Sequence, residues 1–294
     1  MARPSTLSIA KEEILSFFNE APSQIYTESK LGNILSQNRF TWKLAQSVKR
    51  SDFISFLGKH GQLKQHRLHS AHYNQTILRY SWGKVSFYKI ALSIKSRAYL
   101  CHATALTLHG LAQLNRKTIY LNTEQSAKPM ASGPLSQGAI ERAFSSKQRQ
   151  SNLVYTSRSS SVIMVAGKNT NRLGVEDVTG PEAETLQVTN LERTLIDIVV
   201  RPAYAGGISQ VLQAYRNANG RISIHRLIST LKQLDYLYPY HQPIGFLMEK
   251  AGYPKHYIDQ LRAIDQTHDF YLAHGMHQPK YSKSWRLFYP SNFS

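Results

Sequence analysis

The spacing of apolar residues predicts a helix in the middle of the second half of the chain. Leu191, Leu195 and Ile198 follow one another at i, i+4 and i+7, which places them on one face of a helix. Thr189 followed three positions later by Glu192 predicts a capping box, in which the hydroxyl and the carboxylate take free amides of the first turn. The segment therefore has both an apolar face and a defined start.

The end of this helix and the turn after it are also predictable. Arg193 and Asp197 lie four residues apart and are expected to pair on the helix surface, which contributes only about 0.2–0.5 kcal/mol. Pro202 cannot extend a helix, so the helix is expected to end near residue 200 or 201. Gly206 and Gly207 permit a sharp turn into a second amphipathic helix, whose apolar face is formed by Ile208, Val211, Leu212 and Tyr215.

Helical spacing also predicts three helices near the N-terminus. Ser8, Thr27 and Ser51 are the expected cap residues of these helices. Their apolar faces are formed in turn by Ala10, Ile14, Phe17 and Phe18; by Leu31, Ile34 and Leu35; and by Phe53, Phe56 and Leu57. Residues 41–48 fit either another helical turn or an irregular linker.

The pattern changes to a β type after Gly61. Gln62–Leu68 alternates weakly, and Thr76–Tyr80 and Val85–Ile90 are rich in β-formers, with a turn signal at residues 81–84 between them. Three helices followed by a basic hairpin is the order of a winged helix–turn–helix. In helix–turn–helix folds the recognition helix enters the major groove of DNA.

The remainder of the chain intersperses strand and helix patterns. Strands are predicted over Thr118–Thr123, Leu153–Thr156, Val162–Ala166 and Glu184–Val188. Helices are predicted over Ala98–Leu111, from Ser136 to Phe144, and after Ser223, while Gln125–Gly133 and Gly167–Gly180 are predicted to be loops or turns. We therefore expect an α/β protein (α+β overall), with a winged helix–turn–helix in residues 1–97 and a mixed α/β domain with a helical C-terminal half in residues 98–294. The aromatic, basic tail from Phe270 fits a final strand or an adhering segment.

The charge of the chain points to a polyanionic partner. Thirty-six Lys and Arg residues against eighteen Asp and Glu residues give a net charge of +18. Between Lys30 and Arg97 there are thirteen Lys and Arg residues and one acid, Asp52. On the winged-helix interpretation the DNA-binding residues are predicted to be Lys43, Lys49, Arg50, Ser51, Ser55, Lys59, Lys64, Arg67, Arg79 and Lys84.

Enzyme and metal signatures are not found in the sequence. It contains no Walker-type glycine loop, no Gly-x-Ser-x-Gly elbow and no His-Glu-x-x-His pair. The single cysteine, Cys101, fits a buried apolar residue, and we expect no catalytic residues, no metal and no cofactor. No apolar run approaches membrane-spanning length and the first residues lack an apolar signal region, so we expect a cytoplasmic protein without a membrane partner.

Two blocks of the sequence resemble the AbiEi-type antitoxins of type IV toxin–antitoxin, or abortive infection, systems. The first contains Thr-x-x-Glu-Arg-Thr-Leu-x-Asp and then Arg-Pro-x-x-Ala-Gly-Gly, and the second is Tyr99–Leu111. The motif positions that match are Thr189, Glu192, Arg193, Asp197, Arg201, Pro202, Gly206 and Gly207. The resemblance implies an antitoxin for phage defence that represses its own promoter by binding double-stranded DNA at repeats there. It also implies that the antitoxin counters a nucleotidyltransferase-like toxin without needing a stable complex.

Two other functions remain open from the sequence. The basic region of the wing and the C-terminal extension are longer than the family pattern, which leaves the identity of the toxin open. A stand-alone transcriptional regulator with a ligand- or partner-sensing C-terminal domain fits the same DNA-binding features. A nuclease is the third interpretation, with Glu176, Asp177, Glu182 and Glu184 as the acids most able to hold Mg²⁺.

Overall fold

The computed structural model describes residues 4–113, 117–127 and 134–293. Part of the loop expected over Gln125–Gly133 therefore lies outside the described residues. The elements of the N-terminal part are α1 Thr6–Ile9, α2 Lys11–Glu20, β1 Ile25–Tyr26, α3 Glu28–Asn38, α4 Arg50–His60, β2 Leu63–Ser70, β3 Gln75–Trp82 and α5 Phe87–Leu92.

The second part alternates strands and helices before becoming mostly helical. Its first elements are β4 Tyr99–Leu100, α6 His102–Leu108, β5 Thr118–Glu124, α7 Gln137–Phe144, β6 Val154–Ser157, β7 Ser160–Gly167, β8 Val175–Thr179 and β9 Thr185–Thr189. They are followed by α8 Leu191–Val200, a 3₁₀ helix Pro202–Ala205, α9 Ile208–Ala218, α10 Ile224–Leu234, α11 His241–Lys250, α12 Lys255–Arg262, β10 Phe270–Tyr271, β11 Lys280–Ser282 and β12 Leu287–Tyr289. This mixed α/β architecture confirms the expected fold class at that level.

The caps of the N-terminal helices agree only in part with the sequence prediction. Thr27 accepts a hydrogen bond from the Lys30 amide and begins α3, as expected. Ser8 is not a cap, because α1 is a separate short helix capped by Ser5. Ser51 is not a cap either, since α4 begins one residue earlier, at Arg50.

The β-hairpin lies earlier in the chain than the sequence predicted. β2 and β3 pair from Leu63 with Trp82 to Ser70 with Gln75. The run Val85–Ile90, expected to be the second strand, instead leads into α5. Ser86 caps this helix by accepting from the Lys89 amide, and Ile90 is buried, so a cap and a packing face override the β propensity.

Two further predictions in the second half are corrected. The expected helix Ala98–Leu111 is a strand, β4, followed by α6, because Leu100 is needed between Leu121 of β5 and Val188 of β9 in the sheet. The stretch Gly167–Gly180, expected to be polar turns, contains β8, which forms the edge of the sheet beside β9.

One mixed sheet runs through both halves of the described chain. Its strand order is β1-β3-β2-β6-β7-β5-β4-β9-β8. The β5–β7 and β4–β9 pairs are parallel and the others are antiparallel. The junction between the N-terminal hairpin and the rest is the pairing of β2 with β6, at His69 and Thr156.

The apolar side chains form three cores. One lies among α2, α3, α4 and the base of the hairpin, and contains Ile14, Phe18 and Phe53. A second lies between α5, α6 and the sheet, and the third packs α7 to α12 around Leu195. The tail forms a small sheet in the order β10-β12-β11. Among the described residues, no helix has the length and apolar character needed to cross a bilayer.

Candidate nucleic-acid interface and the α8–α9 hairpin

The start of α4 is held in place by contacts from the end of α3. The Arg39 guanidinium donates to the carbonyl oxygens of Ala45 and Val48, the latter at 2.8 Å. Trp42 is buried in the N-terminal core, so residues 41–48 form an anchored turn rather than a loose linker. Arg39 was not singled out by sequence reasoning, because nothing in its local pattern shows that it binds backbone carbonyls six and nine residues later.

One side of α4 is polar and faces solvent. Phe53 is buried against the core, whereas Ser51, Ser55 and Lys59 are exposed. Lys49 precedes the helix, and its amide donates to a carboxylate oxygen of Asp52 at 2.9 Å. The Asp52 carboxylate therefore pairs with this amide at the start of α4.

Five of the predicted DNA-binding cations are exposed and form no ion pair with a described residue. Lys49 and Lys59 lie at the two ends of α4, Lys64 and Arg67 lie on β2, and all four are exposed. Lys43 is also exposed, in the turn before α4, where its φ is 50°. Within the described ranges none of the five forms an ion pair with a carboxylate, and they are free to contact an anion.

The other three predicted cations have partners. Arg50 pairs with Glu28 across the α3–α4 surface at 3.0 Å. Arg79 donates from Nε to the Ser93 carbonyl at 3.0 Å, so its guanidinium closes the C-terminal end of α5. Lys84 pairs with Glu182 at 2.8 Å and lies after the hairpin, not in it.

A polar groove separates the hairpin from the β6–β7 turn. It has a volume of about 710 Å³, and its lining includes His66, Arg67, His69 and Arg158. Burial, and then the charges of Arg158 and Lys64, lower the pKa of His66, which bonds the Ser81 hydroxyl at 2.8 Å. Sequence reasoning did not place Arg158 beside the β2–β3 hairpin, because this contact depends on the pairing of β2 with β6.

The acidic residues considered for Mg²⁺ do not form a metal site. Glu184 accepts from the Glu182 amide at 2.8 Å, and Asp177 accepts from Gln187 at 2.9 Å. Across the described ranges, no group of three or more His, Cys, Asp or Glu residues is arranged to hold a metal ion. The acids therefore serve turns and pairs on the surface.

The predicted capping box at Thr189 and Glu192 is wrong. The cap of α8 is Asn190, whose side chain accepts from the Arg193 amide at 2.9 Å. Thr189 belongs to β9, and its hydroxyl lies 2.8 Å from that of Thr194. The buried carboxylate of Glu192 instead accepts from the Ser223 amide at 2.9 Å, and thus supports the N-terminus of α10.

The pair expected on the surface of α8 is buried. Arg193 Nε donates to Asp197 Oδ1 at 2.8 Å, and the two residues are only 4% and 6% exposed. A second nitrogen of Arg193 donates to the Leu173 carbonyl at 2.9 Å. Burial alone would lower the pKa of Arg193, but the neighbouring Asp197 carboxylate more than offsets this and the pKa is raised, so the guanidinium stays charged.

The turn after α8 follows the sequence prediction. Pro202 begins the 3₁₀ helix, and Gly206 and Gly207 have φ values of 86° and 95°, a region that glycine adopts without strain. The Arg201 guanidinium lies over the Tyr204 ring, 5.8 Å from its centroid. Arg201 is partly exposed and forms no ion pair with a described residue.

Comparisons with known proteins bear on the fold alone. No family model and no curated protein sequence matches the chain. Among solved structures, it is similar to the crystal structure of the RV2827C protein from Mycobacterium tuberculosis, with a TM-score of 0.58 and 14% sequence identity. The similarity covers 96% of this chain and 91% of that one, so the two proteins share an architecture over nearly their whole lengths.

Proposed function

We propose that this protein is a DNA-binding antitoxin of the AbiEi type, which represses its own promoter and counters a nucleotidyltransferase-like toxin. The observation that carries the DNA-binding part is the set of exposed cations in and beside α4 and β2, which form no ion pair with a described residue. A cation without a carboxylate partner is available to neutralise a phosphate. Because the proposed partner is the promoter DNA of its own gene, we infer a cytoplasmic location.

The order of elements supports a winged helix–turn–helix in this role. α3 and α4 lie next to each other in the chain, the β2–β3 hairpin follows, and β1 pairs with β3 at Ile25 and Ser81. In this arrangement α4 would enter the major groove and the hairpin would lie along the backbone. Lys64 and Arg67 would then contact phosphates, whereas the paired Arg50, Arg79 and Lys84 would contribute less.

The test of DNA binding uses the full-length chain and a duplex from the region upstream of its own gene. We expect Lys64→Ala with Arg67→Ala to weaken binding and to reduce the slope of log affinity against log salt by about two, one for each lost phosphate contact. The matched control is Lys255→Ala with Lys280→Ala, which removes the same charge from exposed positions elsewhere. Equal affinity and equal slope in the two double variants would refute the assigned surface.

The antitoxin part rests on the resemblance of the motif around α8 and is tested separately. The neighbouring gene is expressed alone and together with this chain while growth is followed. We expect growth arrest from the neighbouring gene and relief on co-expression. If no arrest occurs, or if this chain does not relieve it, the antitoxin function is refuted, and retained DNA binding would then favour a stand-alone regulator.

A further inference from the structure

A second basic site lies in the part of the chain that follows residue 97, away in sequence from the β2–β3 hairpin. A cavity of about 400 Å³ opens between the loop after α7, the end of α8 and the residues after β10. Four cationic side chains line it: Arg142, Lys147, Arg149 and Arg201. Two separate segments of the chain, residues 142–149 and Arg201, thus bring positive charge to one cavity.

No neighbouring acid neutralises these charges. Arg142, Lys147 and Arg149 are exposed, Arg201 is partly exposed, and in the described part of the chain none of the four forms an ion pair. The cavity lining contains no carboxylate among those residues. Four like charges around one cavity repel one another, so an anion that enters it is attracted by all of them at once.

The loop that carries two of these cations is fixed in place. The side-chain amide of Gln148 donates to the backbone carbonyl of Val200 at 2.9 Å, and Val200 directly precedes Arg201. Three residues further on, the Ser151 amide donates to the Tyr204 hydroxyl at 2.7 Å. The backbone that carries Lys147 and Arg149 is therefore fixed beside the end of α8, which lowers the entropy lost when an anion binds.

A histidine ring also lines the cavity. His274 stacks on Phe144, with ring centroids 4.1 Å apart. Burial lowers the pKa of His274, and the backbone carbonyls of Ala143 and Ser146 oppose this shift. The ring therefore adds polar surface to the lining without adding an acid.

We propose that this cavity binds phosphate groups, independently of the DNA-binding surface on α4 and β2. Arg201 and Arg149 offer planar forks that suit bidentate contacts with phosphate oxygens, and Lys147 adds a point charge. The volume accommodates the phosphates of one nucleotide or a short stretch of polynucleotide backbone. Phosphate is the shared chemistry, and the experiment distinguishes its source.

The experiment titrates the full-length protein with tripolyphosphate, with ATP and with a single-stranded RNA of ten nucleotides by calorimetry. We expect Lys147→Ala with Arg149→Ala to weaken binding of the phosphate ligand at least about tenfold, because two charge-assisted contacts are lost. Lys255→Ala with Lys280→Ala is the control of equal charge and should bind as wild type. Both altered residues of the test variant are exposed, and a folding defect would appear in its circular dichroism.

The outcomes separate the two sources and the two sites. Binding of tripolyphosphate and ATP that the test variant loses supports a free nucleotide, and loss of RNA binding alone supports a polynucleotide. Lys64→Ala with Arg67→Ala should leave the binding of tripolyphosphate and ATP unchanged, so failure of DNA binding does not affect this result. No binding of any of the three ligands, or equal binding by test and control variants, would overturn the proposal.

Discussion

Removal of the Asp197 carboxylate should destabilise the fold strongly. Asp197 lies 2.8 Å from Arg193, and at that distance an effective dielectric constant of about 20 gives an attraction of roughly 6 kcal/mol. Most of this attraction offsets the free energy that is needed to remove both charges from water. Asp197→Ala leaves the Arg193 guanidinium buried without a counter-charge, and we expect a loss of about 3–5 kcal/mol in the free energy of unfolding.

The measurement is urea denaturation of the wild type and the variants, followed by circular dichroism. On the scale of other large domains, the same loss corresponds to a fall in melting temperature of roughly 6–20 °C. The internal control is Asp259→Ala, which removes a pair with Arg262 at 3.7 Å whose side chains are 50% and 38% exposed. An exposed pair of this kind contributes under about 1 kcal/mol.

A double variant tests the physical cause. Arg193→Met with Asp197→Leu removes both charges and fills the space with apolar atoms. We expect it to be more stable than Asp197→Ala alone, since the penalty of the single variant comes from an uncompensated buried charge and not from the loss of attraction itself. If Asp197→Ala costs no more than Asp259→Ala, or if the double variant is the least stable, this reasoning is wrong.

Three further predictions follow from other parts of the structure. Burial lowers the pKa of His102 to about 4, so between about pH 6.5 and 4 the unfolded chain binds a proton at this residue that the folded chain does not. The free energy of unfolding should therefore fall by up to about 3 kcal/mol over this pH range, and by less in His102→Asn. Urea denaturation at each pH measures both. Gly245→Ala should lower the free energy of unfolding by over about 1 kcal/mol, because the new Cβ would lie 2.1 Å from the Trp285 ring. In Gly58→Ala, within α4, the new Cβ meets only a carbonyl at 3.8 Å, so this variant should be as stable as the wild type or more stable in the same assay. If about 6–8 phosphates are neutralised at the promoter, log affinity should fall with log salt at a slope of roughly −5 to −7 in anisotropy titrations, and a flat salt dependence would contradict the phosphate contacts.

Local sequence patterns correctly predicted those helices that have both a cap residue and an apolar stripe directly after it. Ser136 and Ser223 accept from the amides three residues later and begin α7 and α10, as expected from a cap followed by an apolar stripe. The β-rich run Val85–Ile90 was misassigned because strand formation depends on a partner strand. β3 already has β1 and β2 as neighbours, so this run finds no free edge of β3 to pair with and packs as α5.

The roles of the motif residues depend on contacts distant in sequence. The spacing of Thr189 and Glu192 fits a capping box, yet Glu192 supports a helix that begins 31 residues later. The i, i+4 spacing of Arg193 and Asp197 correctly predicted their pairing, but burial depends on the elements packed around α8, including the Leu173 carbonyl from the loop before β8. Periodicity therefore identifies which side chains meet within an element and does not show what covers them.

The apolar core between α5, α6 and the sheet affects how DNA binding and antitoxin activity can be tested separately. Leu68 of β2 and Ile90 of α5 are buried in the same core as Ile119 and Val188. A fragment that begins at Ala98 would lose the first two and would expose the apolar face that they cover. Loss of antitoxin activity in such a fragment would reflect this exposed core as readily as a missing functional surface. Point variants on the exposed faces of the whole chain therefore distinguish DNA binding from antitoxin activity more cleanly than a cut at the predicted boundary after residue 97.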